Sequence, residues 1–306
     1  MDVLSDAITA MRLGRPHSSR TVLRAPWGVR FQPQEGAGFH VILQGSCWLI
    51  PVTGEPVALG VGDVAFLPRE LGHAIADAPT TPLTWARSPL APLQEGPPPS
   101  DGPRTEMLCG AYLLDQSRAH PLLAGLPDVV HLPARIGRHP SLRGAIELLG
   151  QELDGGPRPG GDAAVLALLD VLLLYILRAW YDDRPGEVAT GWGAALRDPA
   201  VLAALHGIHE RPERPWTVQS LAGRSGLSRA AFARRFSELT GSAPMAYLTW
   251  WRMTIAARLL RDTDLTVRSV AAQVGYTSEF AFARAFKREL GTAPGHYRDT
   301  TDANPG

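Results

Sequence analysis

The stretch SRAAFARRF at Ser228–Phe236 returns fifty positions later as SEFAFARAF at Ser278–Phe286. Both copies hold Ser, then Phe at +4, Arg at +6 and Phe at +8, so one structural unit is built twice. The match extends further. VQSLAGRSGLS (Val218–Ser228) aligns with VRSVAAQVGYTS (Val267–Ser278), with Thr277 as one extra residue in the turn. Gly241, Ala243, Pro244 and Tyr247 recur as Gly291, Ala293, Pro294 and Tyr297.

Each unit reads as helix, turn, helix. Leu221 and Ala222, or Val270 and Ala271, form the inner face of the first helix, and Gly226 or Gly275 suits a left-handed turn position. Ser228 and Ser278 are suited to cap the second helix. At about 100° per residue the Phe pair falls on one buried face, while Arg234 and Arg284 point outward. PMAYLTWWRMTIAARLLRD, with Pro244 in its first turn, predicts a connecting helix of about 18 residues, ~27 Å long. A rod of that length can hold two reading helices about one DNA turn apart.

Charge separates this region from the rest of the chain. The net charge is zero, but Glu213–Arg298 carries 13 Arg and Lys against 6 Asp and Glu. A basic module joined to an acidic remainder suits contact with a polyanion; a solvated charged face is the plainer alternative.

Residues 213–298 resemble the tandem helix-turn-helix domain of the AraC/XylS family of transcription regulators, most specifically through GYTSEFAFARAFKRELGTAPGHYR. The resemblance implies sequence-specific DNA binding and a partnership with RNA polymerase. Carried over by position, Ala230, Arg234, Glu279 and Arg284 face bases, with Phe280 at the position matching Ala230. Arg229, Arg235, Lys287 and Arg288 lie near the DNA backbone, and Ser228 and Ser278 open the reading helices. The family often has a larger side chain at Ala230, so the first unit is expected to read few bases beyond those Arg234 reaches.

From Thr21 to Leu132 the pattern changes to short apolar runs such as FHVILQ, SCWLIPV and DVAFLP, broken by Gly and Pro, which predicts an antiparallel sandwich or barrel. SPLAPLQEGPPPSDGPR (88–104) reads as a long loop. FHVILQGSCWLIP with ALGVGDVAFLPRELGHAIAD resembles the cupin-like sensor domain found in some members of the same family. Gly62, Asp63, Pro68 and His73 match the second cupin motif loosely. A full cupin metal set is incomplete, because the first motif offers His40 alone and has Gln44 where an acid might sit. For His40 and His73 three readings stay open: structural histidines, a metal site, or contacts to a small ligand. Cys47 and Cys109 are too few for a disulfide framework. They are either buried apolar residues or a redox sensor whose oxidation shifts DNA binding. No cofactor is expected.

Between these regions Leu166, Leu169, Leu173, Ile176 and Trp180 form a helical seam, and Leu168, Leu172 and Tyr175 add a second face. The 163–180 helix is either buried within its own domain or also joins two copies in a homodimer. Its apolar core, Ala163–Leu177, is short for a membrane span and contains Asp170. MDVLSDAITAMRLG lacks the basic start and apolar run of a secretory signal. A cytoplasmic protein without a membrane partner is expected. HERPERPWT reads as a hinge before the basic module.

The expected architecture is α+β: a cupin-like β barrel at 1–135, a helical linker and candidate dimerisation region at 136–212, and an all-α tandem helix-turn-helix domain at 213–306. The expected function is a non-enzymatic, DNA-binding transcription regulator whose first domain senses a small molecule or oxidant. The competing reading is a cupin-fold metal-dependent enzyme with a basic helical appendage.

Overall fold

The computed structural model describes residues 2–86, 101–115, 119–154, 158–183 and 191–302. In chain order its elements begin α1 (Val3–Met11), β1 (His17–Arg24), β2 (Gly28–Phe31), β3 (Ala37–Gln44), β4 (Cys47–Pro51), β5 (Val57–Leu59) and β6 (Val64–Leu67). They continue with β7 (His73–Ala76), β8 (Thr84–Trp85), β9 (Arg104–Tyr112), α2 (Pro121–Ala124), β10 (Val130–Leu132), α3 (Pro140–Glu152) and α4 (Gly161–Asp182). The rest is helical: α5 (Trp192–Ala195), α6 (Pro199–Glu210), α7 (Val218–Ser225), α8 (Arg229–Thr240), α9 (Pro244–Asp262), α10 (Val267–Gln273), α11 (Glu279–Leu290) and α12 (Pro294–Asp302).

Two compact units result, Arg12–Ala119 with Leu126–Arg184, and Met1–Met11 with His120–Gly125 and Pro185–Gly306. The packing thus divides the chain differently from the expected boundaries at 135 and 212. Helices α3 and α4 join the β-rich unit, while α5 and α6 join the helical one. Amphipathic faces decide this, because α4 buries its seam within the first unit and α6 packs on α7 in the second. Residues 2–11 and 120–125 also belong to the helical unit, and segments this short carry too little periodicity to reveal their partner.

The β-rich unit contains two five-stranded sheets, ordered β1-β9-β3-β6-β10 and β5-β4-β7-β2-β8. Among the described residues all pairings are antiparallel except the short parallel β2–β8 edge. Alternation along the strands sends Leu23, Ile42, Cys47, Leu49, Ile75 and Met107 into one core. The loop expected at 88–104 falls mostly outside the described residues, which resume at Asp101.

Helix α4 is longer than its apolar run suggests; its 22 residues suffice by length and composition to cross a membrane. It packs instead within the β-rich unit. Leu169, Leu172, Leu173, Ile176 and Leu177 are buried, Asp170 pairs with Arg12, and the Tyr112 hydroxyl donates to the Leu169 carbonyl at 2.8 Å. The seam lies along these residues, leaving Leu166 and Trp180 half-buried.

In the helical unit, Thr217 and Ser220 form a reciprocal capping box that starts α7. Gly226 and Gly275 take φ of 69° and 83°, the left-handed conformation the turns require. HERPERPWT is a locked turn rather than a hinge. Trp216 is buried and donates its indole N–H to the Arg211 carbonyl at 2.9 Å, and Arg252 donates to the carbonyls of Pro212 and Arg214.

Candidate nucleic-acid interface and a buried histidine and cysteine chain

The two second helices repeat in detail. Ser228 accepts the Ala231 amide and Ser278 the Ala281 amide, each at 3.3 Å. Phe232, Phe236, Phe282 and Phe286 are fully buried, their ring centroids 5.7 Å apart in one copy and 5.6 Å in the other. Phe236 meets Tyr247 edge-on as Phe286 meets Tyr297. Burying such rings contributes about 1.5–3 kcal/mol each, which fixes the rotation of α8 and α11 about their axes.

That rotation leaves the opposite faces open. Arg234 has a 76% exposed side chain and only a 3.7 Å contact to Glu238. Arg284 is exposed and has no ion-pair partner among the described residues. Ser228, Arg229, Ala230, Ser278, Glu279, Phe280 and Lys287 are exposed as well. Phe280 is a large apolar side chain with 74% of its surface open. Arg229 sits in the first turn of α8, where a cation opposes the helix dipole; Glu279 in the other copy complements it.

Two further cations have closer protein partners than Arg234. Arg288 pairs with Glu289 at 3.1 Å. Arg235 pairs with Asp198, the N-cap of α6, whose other oxygen accepts the Val201 amide at 2.9 Å. Burial alone would raise the Asp198 pKa, but the Arg235 hydrogen bond, the Val201 amide and the Arg235 charge together hold it below the usual carboxylate range.

In the β-rich unit, strand register brings His40 beside Cys109, with Nδ1 and Sγ 3.1 Å apart. His40 Nε2 lies 2.7 Å from His73 Nε2, and His73 Nδ1 lies 2.7 Å from Glu70 Oε1. One proton arrangement satisfies every atom. His73 donates to the Glu70 carboxylate, His40 Nε2–H donates to His73, and the Cys109 thiol donates to His40 Nδ1. Phe31 stacks on His73 with centroids 4.6 Å apart. Burial, reinforced by His73, pushes the His40 pKa well down, which keeps it neutral.

The same geometry bears on how well these side chains suit a metal. Both Nε2 atoms face each other within hydrogen-bond distance, and no group of three or more His, Cys, Asp or Glu among the described residues is placed to hold a metal ion. The donors do not fit a cupin metal. Cys47 is buried in the core against which Cys109 packs. Burial, with a contribution from Asp63, pushes the Cys47 thiol up to about 12, and burial with Cys47 nearby raises Cys109 as well. Both thiols are therefore protonated and poorly nucleophilic near neutrality.

Sequence reading missed Glu70 and Gly38. A Cβ on Gly38 would stand 2.1 Å from Glu70 Oε2, so the glycine makes room for the carboxylate that orients His73. The Glu-x-x-His spacing of Glu70 and His73 was the available signal. Asp63 of the second cupin motif is structural: it accepts the amides of Gly60 at 3.0 Å and Ala134 at 2.7 Å.

The family description Cupin matches residues 2–182, and Helix-turn-helix domain matches residues 221–300. A Streptomyces lividans protein described as an AraC-like transcription regulator is 33% identical over 300 residues, spanning 97% of this chain and 98% of its own. The RCS-specific HTH-type transcriptional activator RclR of Escherichia coli is 31% identical over 309 residues, spanning 98% of each chain. Among solved structures, the DNA-binding domain of AdpA in complex with a target DNA is 38% identical over 35% of this chain and 95% of that one, with a TM-score of 0.33. The chain belongs to the AraC-like transcription regulators, joining a cupin domain to a DNA-binding helix-turn-helix domain.

Proposed function

We propose that the β-rich unit senses an effector and that the helical unit reads DNA at two points, so that the chain regulates transcription without catalysing a reaction. The observation that carries this reading is the matched pair α8 and α11, each pinned by buried Phe and presenting an outward Arg. Arg234 and Arg284 suit bidentate bonds to guanine, with Ala230, Glu279 and Phe280 beside them; Phe280 suits a thymine methyl. Arg229, Lys287 and Arg288 suit phosphate, as does Arg235 once it leaves or shares Asp198. Ser228 and Ser278, already used as caps, fix where each reading helix begins. RNA polymerase is the partner in activation, and the cytoplasm is the place of action.

For the sensor, the Cys109, His40, His73 and Glu70 chain supports an oxidant reading better than a metal one. Two S–H bonds of Cys47 and Cys109 would be replaced by one S–S bond, while hypochlorous acid is reduced to chloride with release of water and a proton. The raised thiol pKa values mean that such an oxidant must enter the core or meet it opened. The 163–180 helix keeps its outward face, including the exposed Val171, for a homodimer.

Selection of bound fragments from random DNA, with and without hypochlorite, tests both halves. The reading predicts a selected site and loss or gain of affinity accompanied by Cys47–Cys109 linkage. Unchanged affinity with both thiols reduced rejects the thiol sensor, and failure to select any site rejects the reader.

A further inference from the structure

We propose that the β-rich unit holds a second ligand site, a cavity that takes an organic anion with an apolar body. The cavity has a volume of about 510 Å³, within the ~300–1,000 Å³ range of small-molecule sites. It opens beside α3, where residues 139, 142, 143, 146 and 147 share one helical face. Ile42, Leu132, Leu142 and Ile146 supply an apolar wall and are themselves buried in the fold.

The mouth has two features that the fold leaves unexplained. Ile136 is fully exposed and Val61 is 59% exposed, so large apolar side chains stand in water at the lip. A bound apolar body would cover them. His139 also has φ 47°, the one positive value outside glycine among the described residues. Strain of this kind concentrates at ligand sites.

Charge selects the head group. Arg135, Arg138 and Arg143 line the cavity against one acid, Glu147. Arg138 is engaged by Asp183 at 3.1 Å, and His139 lies 3.0 Å from the same carboxylate. Arg135 and Arg143 have no carboxylate partner among the described residues; Arg143 reaches only the Arg135 carbonyl, at 3.5 Å. Two free guanidiniums at the rim of an apolar cavity suit a carboxylate, sulfonate or phosphate carried on a hydrocarbon body. Asp63 holds the rim in place through its bond to the Ala134 amide.

This site is separate from the histidine and cysteine chain and does not depend on thiol oxidation or on DNA. Calorimetry of the full, reduced chain with decanoate, decan-1-ol and decylammonium tests it. The expected result is saturable one-to-one binding of decanoate, at least tenfold tighter than either of the other two. Arg135→Ala with Arg143→Ala should weaken decanoate at least tenfold and leave decan-1-ol unchanged, and both substitutions lie at exposed positions that do not threaten folding. Ile136→Ser with Val61→Ser should weaken decanoate and decan-1-ol alike. No saturable decanoate binding, equal affinity for the three amphiphiles, or undiminished decanoate binding by the double arginine variant would each overturn the proposal.

Discussion

The Tyr247 hydroxyl lies 2.7 Å from Nε2 of His209, deep in the helical unit. It also lies 3.0 Å from Nε2 of His120, so one oxygen joins α9 to α6 and to the residue that caps α2. Burial pushes the tyrosine pKa well up and both histidines down, so the three groups are neutral. Tyr247→Phe leaves at least one buried imidazole nitrogen unpaired. We expect a loss of about 1–3 kcal/mol in urea unfolding, with no change in the exposed faces of α8 and α11.

The same neutral imidazoles set a pH dependence. His40, His120 and His209 resist protonation in the folded chain, chiefly because they are buried, whereas an unfolded histidine takes up a proton near pH 6.5. For His209 the nearby Asp6 carboxylate, 3.4 Å from Nδ1, opposes the burial effect only in part. Below about pH 6.5 the unfolded chain binds more protons, so this stabilisation is complete above that pH and is lost on acidification. The urea midpoint should fall between pH 7.5 and pH 5.5; equal midpoints would show that the histidines titrate freely.

Gly38→Ala should disconnect Glu70 from His73, because the new methyl occupies the space of Glu70 Oε2. Both groups are buried, so an outcome of about 1–3 kcal/mol destabilisation is expected, together with a changed His73 imidazole signal by NMR. An unshifted His73 resonance would mean the carboxylate does not orient the ring.

The thiols should react slowly. With Cys47 raised to about 12 and Cys109 raised as well, iodoacetamide at pH 7 should label the native chain at least tenfold more slowly than the urea-unfolded chain. Mass spectrometry of the labelled peptides reads both sites; equal rates would contradict the burial of these sulfurs.

The recognition helices were legible in the sequence because the unit is written twice. Caps, Phe anchors and turn glycines all had to agree in register, and the agreement extends to the Tyr247 and Tyr297 edges. The β-rich unit was legible as alternating strands, and His40 was placed near the centre of interest. Cys109 was not, since it reaches His40 through strand pairing between residues far apart in the chain, whereas Glu70 lies only three residues before His73. Likewise nothing in residues 2–11 or 120–125 shows that Asp6 and His120 belong with His209 and Tyr247; that follows only from how the chain packs. The cavity beside α3 was missed because its wall reads as ordinary helix and strand core.

Base readout by the two matched arginines is the central claim, and the most direct test compares Arg234→Ala, Arg284→Ala and the parent chain on a selected DNA site and on a random fragment at fixed salt. The account predicts that each variant loses about 1–3 kcal/mol on the selected site and much less on the random one. Equal losses on both fragments, or no loss on the selected site, would contradict it.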